Sequence, residues 1–558
     1  MRGLLSLFAV LGFERGLALP AKAAAAALGL NVGRPNLIFV MADDLGWGEV
    51  HAYPGGSANG RIATPHLDRF AREGMRFTNA YAGYTVCSPS RTAFYTGYHS
   101  GSFPKHRLCV SQQCEIGVGE EILLLPQMLK RGGYATAAFG KMAPLTAPGR
   151  QGFDYFVGQI DQAACHNMYP ICIDTADVGH HDDGSNRALC LPFNNKALDR
   201  AACMAHPELF NYTSDLFHDH AMAWLRGQQH GGKPFFLYIA FTVPHAGGWG
   251  TVAEQDQPVP SDLQYVGDAV TAWPLVERDH AAVVTYTDKK VGELMDTLAE
   301  LRVEDQSLVI FASDNGAHAE GGHWHGFFNS TGGLSGYKRS LYEGGVRSPT
   351  IARWPGAIQP SVSTFQWAFW DVMPTFAELA GISQPKGLDG RSIVPTLMGR
   401  QQPAHPFLYW TWANAGVELK LPSGWRAEEN AEGTLNYVHD ASGTIQAHHP
   451  LEAPSPRGSP APAPAPAPSA SSHIAAMRER LGIGGFAVVS GMWKGIVPRC
   501  TGPAPSAADL QRMYVYHLTH SAEPETESLH TTTTGQREAE RLLDLVVRAE
   551  LTCQCFQC

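Results

Sequence analysis

The sequence predicts an α/β fold in which helices flank a large mixed, mostly parallel sheet, followed by a smaller C-terminal α+β subdomain. Three observations carry this expectation. Short continuous apolar runs at residues 35–41, 233–241 and 307–312 end in charged or polar residues, the pattern of strands buried on both faces of a parallel sheet. Strand and helix signals alternate between residues 35 and 139, as they do in α/β sheets. The chain has 558 residues, 44% of them hydrophobic, with 58 Gly and 38 Pro, which fits one large core with many loops better than several small domains.

Residues 1–33 read as a signal peptide or leader: Arg2, an apolar run over residues 4–13, then an Ala-rich stretch with small residues suited to processing. The first strand, 35–41, runs into Ala42-Asp43-Asp44, and ligands in open α/β sheets bind at such strand ends. Thr64 and Pro65 form an N-cap and first-turn pair for a helix that Gly74 ends. After a short strand, a further helix is expected to start near Ser90, and another covers 124–130. The strand 134–139 leads to Gly140-Lys141, and a region read as loop, containing Cys165, Cys172, Cys190 and Cys203, follows Gly152. A helix is expected over 218–225, and the strand 233–241 delivers Pro244-His245. Helical spacing of Val283, Tyr286, Val291, Leu294 and Leu298 marks a helix over 278–301. The strand 307–312 runs straight into Ser313-Asp314-Asn315-Gly316, and a helix covers 371–380. This places a catalytic domain at 34–380 and a C-terminal subdomain at 381–558. Residues 453–472, rich in Pro and Ala, interrupt that subdomain as an extended linker. Strand-like runs at 491–497 and 514–518 and a helix over 536–551 complete it.

A formal net charge of −10 and the lack of any Lys/Arg-rich block argue against a nucleic-acid partner. A small anionic substrate would need a local cationic pocket. No later stretch reads as transmembrane. Setting Cys87 aside leaves ten of the eleven cysteines, an even number compatible with five disulfides and an oxidising compartment. Asn211-Tyr212-Thr213 and Asn329-Ser330-Thr331 are potential glycosylation acceptors. Together these features point to the secretory pathway, with an extracellular, periplasmic or lysosome-like destination.

Asp43, Asp44, Asp314 and Asn315 are oxygen donors from two separate strand ends, a set that suits Ca²⁺, with Mg²⁺ as the alternative, better than zinc or copper. Cys87, Pro89 and Arg91 stand in the spacing Cys-x-Pro-x-Arg. This stretch, with the two acidic pairs, resembles the type I sulfatases, in the same order from Pro35 to Ala380 and again at Tyr516-His517-Leu518. The resemblance implies an alkaline-phosphatase-like fold and hydrolysis of a sulfate ester to an alcohol and inorganic sulfate. It implies that a formylglycine-generating enzyme oxidises Cys87 during synthesis. The hydrated aldehyde then offers one hydroxyl to attack sulfur and one to expel the sulfate. It implies that Asp43, Asp44, Cys87, Asp314 and Asn315 hold the metal, that Arg91 contacts the modified residue, and that Lys141, His245 and Lys338 bind sulfate and move protons.

The chain departs from the family pattern at one point. Gly140-Lys141-Met142-Ala143-Pro144-Leu145 stands where the family usually has Gly-Lys-Trp-His-Leu-Gly. Ala143 cannot transfer a proton, and His166 and His318 are the substitutes within reach in sequence. Two other readings accompany the sulfatase one: a phosphonate or phosphodiester hydrolase on the same fold, and a catalytically impaired sulfatase-like binding protein. The sulfated small molecule, carbohydrate or lipid that serves as substrate is not encoded in any motif.

Overall fold

The computed structural model describes residues 33–54, 60–106, 108, 115–118, 122–177, 186–195, 198–228, 232–248 and 256–412, and in the C-terminal part 425–429, 435–439, 445–446, 485–491, 493–497, 513–518 and 533–548. The leader up to residue 32, the linker 453–472 and Cys553, Cys555 and Cys558 lie outside these residues. Of Tyr516 and His517 only their place in the strand Tyr514–His517 is described.

The central strand is β1 (Asn36–Asp43), buried along its whole length. In chain order β2 (Met75–Phe77), β3 (Ala80–Tyr81), β4 (Ala135–Lys141), β5 (Tyr155–Gln159), β6 (Cys172–Asp177), β7 (Arg187–Cys190), β8 (Phe235–Pro244), β9 (Ser307–Ser313), β10 (Thr350–Arg353) and β11 (Ser361–Ser363) follow. All but β3 form one ten-stranded sheet in the order β11-β2-β10-β9-β1-β8-β4-β5-β6-β7. The five strands β9-β1-β8-β4-β5 run parallel, while β10 pairs antiparallel with β9, and β6 with β5. Register brings Val40 opposite Ile239 on one side and Phe311 on the other.

Because successive side chains of a strand face opposite sides, β1 feeds two cores. Leu37, Phe39 and Met41 join the cluster under the helices Cys87–Thr96, Leu125–Arg131 and Val372–Ala380. Ile38, Val40 and Ala42 join the cluster under Pro65–Glu73, Thr213–Gly227 and Leu275–Glu300. Helices on both faces explain why the central strands are continuous apolar runs. A four-stranded antiparallel sheet containing Leu408–Trp412, Gly485–Ser490, Trp493–Val497 and Tyr514–His517 forms the smaller C-terminal unit with the helix Thr533–Arg548. It is bolted to the main body by Lys494 Nζ, which donates to the buried Glu343 Oε1 at 2.8 Å, and by Trp410 Nε1, which donates to the Ala82 carbonyl at 3.0 Å.

Two expectations are corrected. The region read as loop after Gly152 carries β5, β6 and β7, and of its four cysteines only Cys172 and Cys190 are bonded, across the antiparallel pair β6–β7. Cys165 and Cys203 are buried thiols. Cys165 Sγ lies 3.4 Å from the Gln159 carbonyl oxygen, and Cys203 packs in the apolar cluster. The helix expected near Ser90 starts at Cys87. Pro89 is accommodated because the first N–H groups of a helix have no intrahelical partner, so the missing donor costs nothing there.

Gly140, one residue before Lys141, has φ +106°, and a Cβ there would run into the Ala240 carbonyl oxygen of β8. Gly356 also has a left-handed φ, +77°, but open space around it. Gly140→Ala is expected to lower the unfolding free energy by more than the about 1–3 kcal/mol that such a backbone costs an L-residue. Gly356→Ala should stay within that range. Denaturant titration of both variants checks the difference.

Candidate active site

The C-terminal ends of four neighbouring parallel strands meet at one edge of the sheet. β1 delivers Asp43 and Asp44, β9 delivers Asp314 and Asn315, β8 delivers His245, and β4 delivers Lys141. Residues 43 and 44 would face opposite ways in a regular strand, but Asp44 adopts φ +67°. This turn, which Asp tolerates better than most residues, brings both carboxylates into one cluster. The helix Cys87–Thr96 points its first turn at the same edge, and Lys338 enters from a loop whose backbone N–H at 338 donates to the Ala317 carbonyl at 2.8 Å. All nine residues predicted for the site are brought together, and all are buried.

Arg91 Nε donates to Asp314 Oδ2 at 2.9 Å, its Nη2 lies 3.8 Å from Asp43 Oδ2, and its Nη1 donates to the Tyr238 hydroxyl at 3.2 Å and the Lys141 carbonyl at 3.3 Å. Lys141 Nζ donates to Asp43 Oδ2 at 2.8 Å. Lys338 Nζ donates to Asp44 Oδ2 and to Glu320 Oε2, both at 2.7 Å, and lies 2.9 Å from His245 Nε2. Asn315 Nδ2 donates to Asp44 Oδ1 at 2.7 Å, and the Asp44 backbone N–H donates to Asp314 Oδ1 at 3.1 Å.

These contacts set the protonation pattern. Burial pushes the Asp43 carboxyl up, but Lys141 and Arg91 beside it outweigh that and hold its pKa well below the usual carboxylate range. Burial, with Asp43 as a like-charged neighbour, lifts Asp314 to about 7. Lys141 and Lys338 are raised despite burial, by Asp43 and Asp44 respectively. Burial also pushes the Cys87 thiol up. The encoded residue is therefore a protonated thiol at neutral pH, and the thiolate is what makes cysteine a nucleophile.

The donor set fits a divalent cation. Asp43 Oδ1 and Asn315 Oδ1 are buried oxygens without a hydrogen-bond partner, and such orphans are costly unless something satisfies them. Ligand atoms of Asp43, Cys87 and Asp314 lie within 4.8 Å of one another. The acceptors are hard oxygens, as Ca²⁺ and Mg²⁺ require.

Three residues not singled out in the sequence, Gln162, Glu320 and Tyr238, enter the site together with His166. Gln162, in the segment after β5, donates from Nε2 to Cys87 Sγ at 3.1 Å and accepts from the Ser88 hydroxyl at 2.8 Å. Glu320 binds Lys338 and forms an ion pair with Arg339. Tyr238 supports Arg91 from β8. His166 places Nε2 3.1 Å from Lys141 Nζ and stacks on His245, centroids 3.7 Å apart. His318, the other histidine singled out in the sequence, has both nitrogens engaged. Nε2 lies 2.9 Å from the Pro244 carbonyl oxygen and Nδ1 accepts from the Glu320 N–H at 3.1 Å, while burial lowers its pKa to about 3.

A mostly parallel sheet with a buried carboxylate, lysine and arginine cluster at its C-terminal edge places the protein in the alkaline-phosphatase-like fold class. A family model described as Sulfatase matches residues 35–382, and the chain belongs to the sulfatase family. It is 32% identical over 455 residues to arylsulfatase A of Homo sapiens, covering 76% of this chain and 82% of that protein. It is 28% identical over 445 residues to N-acetylgalactosamine-6-sulfatase of Canis lupus familiaris, covering 73% and 77%. A solved structure in complex with its substrate D-glucosamine-2-N,6-O-disulfate shares the fold at a TM-score of 0.60 and 18% identity, covering 93% of this chain and 97% of that one. The chain is thus a sulfuric ester hydrolase. The family generally uses a formylglycine and a divalent metal.

Asp314→Ala is expected to weaken divalent-cation binding as read by isothermal titration, because one anionic oxygen is lost from the shell of a hard cation. It should also lower stability by about 3–5 kcal/mol, since Arg91 loses its closest carboxylate in a dry pocket. Denaturant titration alongside the calorimetry checks both effects.

Proposed function

We propose that this sulfatase releases sulfate from a sulfated carbohydrate, using formylglycine at position 87 and a divalent cation, Ca²⁺ or Mg²⁺, held by Asp43, Asp44, Asp314 and Asn315. The observation that carries this reading is the placement of Cys87 within one buried group with Asp43 and Asp314, beneath two lysines and an arginine. The sugar preference rests on the names and substrate of the relatives.

A bound divalent cation would offset the aspartate charges and polarise sulfate oxygens. Formylglycine would supply a hydroxyl nucleophile that a protonated thiol cannot. The chain's own residues bind, orient and move protons. Lys141 and Lys338 supply ammonium groups for the sulfate oxygens in an otherwise acidic protein, in a site from which water is largely excluded, so each contact is stronger than at the surface. Arg91, fixed by Asp314, Tyr238 and the Lys141 carbonyl, sets the position of residue 87 from one turn along the same helix. Gln162 holds it from the other side. The alcohol leaves as an alkoxide unless it is protonated, and the Lys338–His245 pair, 2.9 Å apart, is the general acid.

The proton that must leave position 87 before sulfate departs is assigned to His166. Ala143 carries no acceptor, and both His318 nitrogens are engaged. His166 reaches Lys141 from the loop after β5, on the His245 ring. Its role does not depend on which backbone position supplies the imidazole.

Two outcomes are expected. In protein made where the modifying machinery is present, peptide mass spectrometry should find formylglycine at position 87, and the same preparation should release sulfate from 6-O-sulfated hexosamines faster than from matched phosphate esters. Active protein with only a thiol there would end this reading. His166→Ala should slow turnover about 10²–10⁴-fold, the usual worth of general base help, with a burst of alcohol before a slow steady state. Adding Ala143→His to that variant should recover part of the rate. Steady-state and stopped-flow assays measure both, and a His166→Ala enzyme with wild-type turnover would remove His166 from the mechanism.

A further inference from the structure

A second cluster lies one histidine away from the catalytic centre. Glu49 belongs to the short helix Trp47–Glu49 just after the aspartate pair, His280 to the helix Leu275–Glu300, and His323 to the loop that follows β9. All three are buried, and one ligand atom from each lies within 4.8 Å of the others. The His280 and His323 rings stack with centroids 3.6 Å apart and planes 8° from parallel. The His318 ring, 5.4 Å from His280 and 6.0 Å from His245, separates this group from the catalytic residues.

The hydrogen bonding leaves a gap in the middle. His323 Nδ1 lies 2.7 Å from Glu277 Oε2, so the ring proton sits there and Nε2 presents a lone pair. That Nε2 is buried, has no hydrogen-bond partner, and stands 3.9 Å from Glu49 Oε1. Glu49 Oε2 accepts from the Gly46 N–H at 2.7 Å, which leaves Oε1 turned to the two imidazoles. His280 faces an acceptor at each nitrogen, Glu49 Oε1 at 2.6 Å from Nε2 and Gln257 Oε1 at 3.4 Å from Nδ1. A neutral ring has one proton and satisfies only one of these. A cation at Nε2 would satisfy the carboxylate while Nδ1–H donates to Gln257.

We propose that Glu49, His280 and His323 form a second metal site, for a divalent first-row transition cation of the Zn²⁺ type. Two imidazoles and one carboxylate are a recurrent zinc set, with a water completing the tetrahedron. Nitrogen donors favour such ions over the Ca²⁺ or Mg²⁺ of the oxygen-lined centre. The outer contacts match as well: metal-bound histidines donate their other N–H to a carboxylate or another acceptor oxygen, here Glu277 and Gln257. The cation joins the turn after β1, the long helix and the loop that carries His318 and Glu320. It thereby braces Glu320, the partner of Lys338.

The test uses full-length protein stripped of metal, supplied with excess Ca²⁺ to fill the oxygen-lined centre, equilibrated with Zn²⁺ and desalted. About one retained zinc per chain is expected by elemental mass spectrometry. Zinc should be lost in His323→Gln and in Glu49→Gln but kept in Asp314→Asn. Glu277→Gln should weaken zinc about 10–100-fold. Zinc X-ray absorption on the wild-type protein should show imidazole scattering, and this decides the matter even if a variant fails to fold. No retained zinc in the wild type, a spectrum without imidazole, or retention that follows Asp314 instead of His323 would each overturn the proposal and leave a hydrogen-bonded histidine cluster.

Discussion

Three aspartates cannot share a dry pocket unless positive charge is built in among them. Two like charges about 4 Å apart repel by about 4 kcal/mol even at an effective dielectric of about 20, and each carboxylate also pays for leaving water. Asp43, Asp44 and Asp314 are fully buried. Each is met by a cation that is itself buried: Lys141 on Asp43, Lys338 on Asp44, and Arg91 on Asp314. The sheet makes this possible. Parallel strands β9, β1, β8 and β4 end side by side, so two aspartate-bearing ends lie next to each other and a lysine two strands away reaches across β8. Gly140 lets β4 approach β8 closely just before Lys141. The same pairing leaves Lys141 and Lys338 as buried ammonium groups at the strand ends.

The parts of this arrangement that could be read from the sequence are those whose physics is local. A strand buried on both faces is an uninterrupted apolar run, so the abrupt change at Asp43-Asp44 and at Asp314-Asn315 stands out and marks a sheet edge. The signature around Cys87 is contiguous, and Lys141 and His245 follow strand ends. Gln162 and Glu320 carried no such mark. Each is a single polar residue in a loop, and its importance comes from Cys87 Sγ or Lys338 Nζ, which are distant in sequence. The strands β6 and β7 were missed for a related reason. They lie at the edge of the sheet, and β7 is exposed throughout, so they lack the continuous apolar pattern of the centre, and the Cys172–Cys190 bond contributes to holding them. Parity of the cysteines was a poor guide: Cys165 and Cys203 are unbonded, one beside the Gln159 carbonyl and the other in an apolar cluster.

Histidines show most clearly that a function is tied to a point in space and not to a place in the chain. The rings of His166, His245 and His318 form one column, with centroid spacings of 3.7 Å and 6.0 Å, and His280 and His323 continue it beyond His318. Its five members come from four segments, the loop after β9 supplying both His318 and His323, and their environments differ. His318 is locked between a carbonyl and an N–H and serves as a spacer. His245 works with Lys338. His166 stands next to Lys141, two residues before Ala143. A proton acceptor beside Lys141 needs an imidazole nitrogen within reach and a neighbour that fixes the ring plane. Stacking on His245 provides the second, and the loop after β5 provides the first. The alanine at 143 therefore removes a side chain from one strand end while an imidazole, that of His166, still stands beside Lys141.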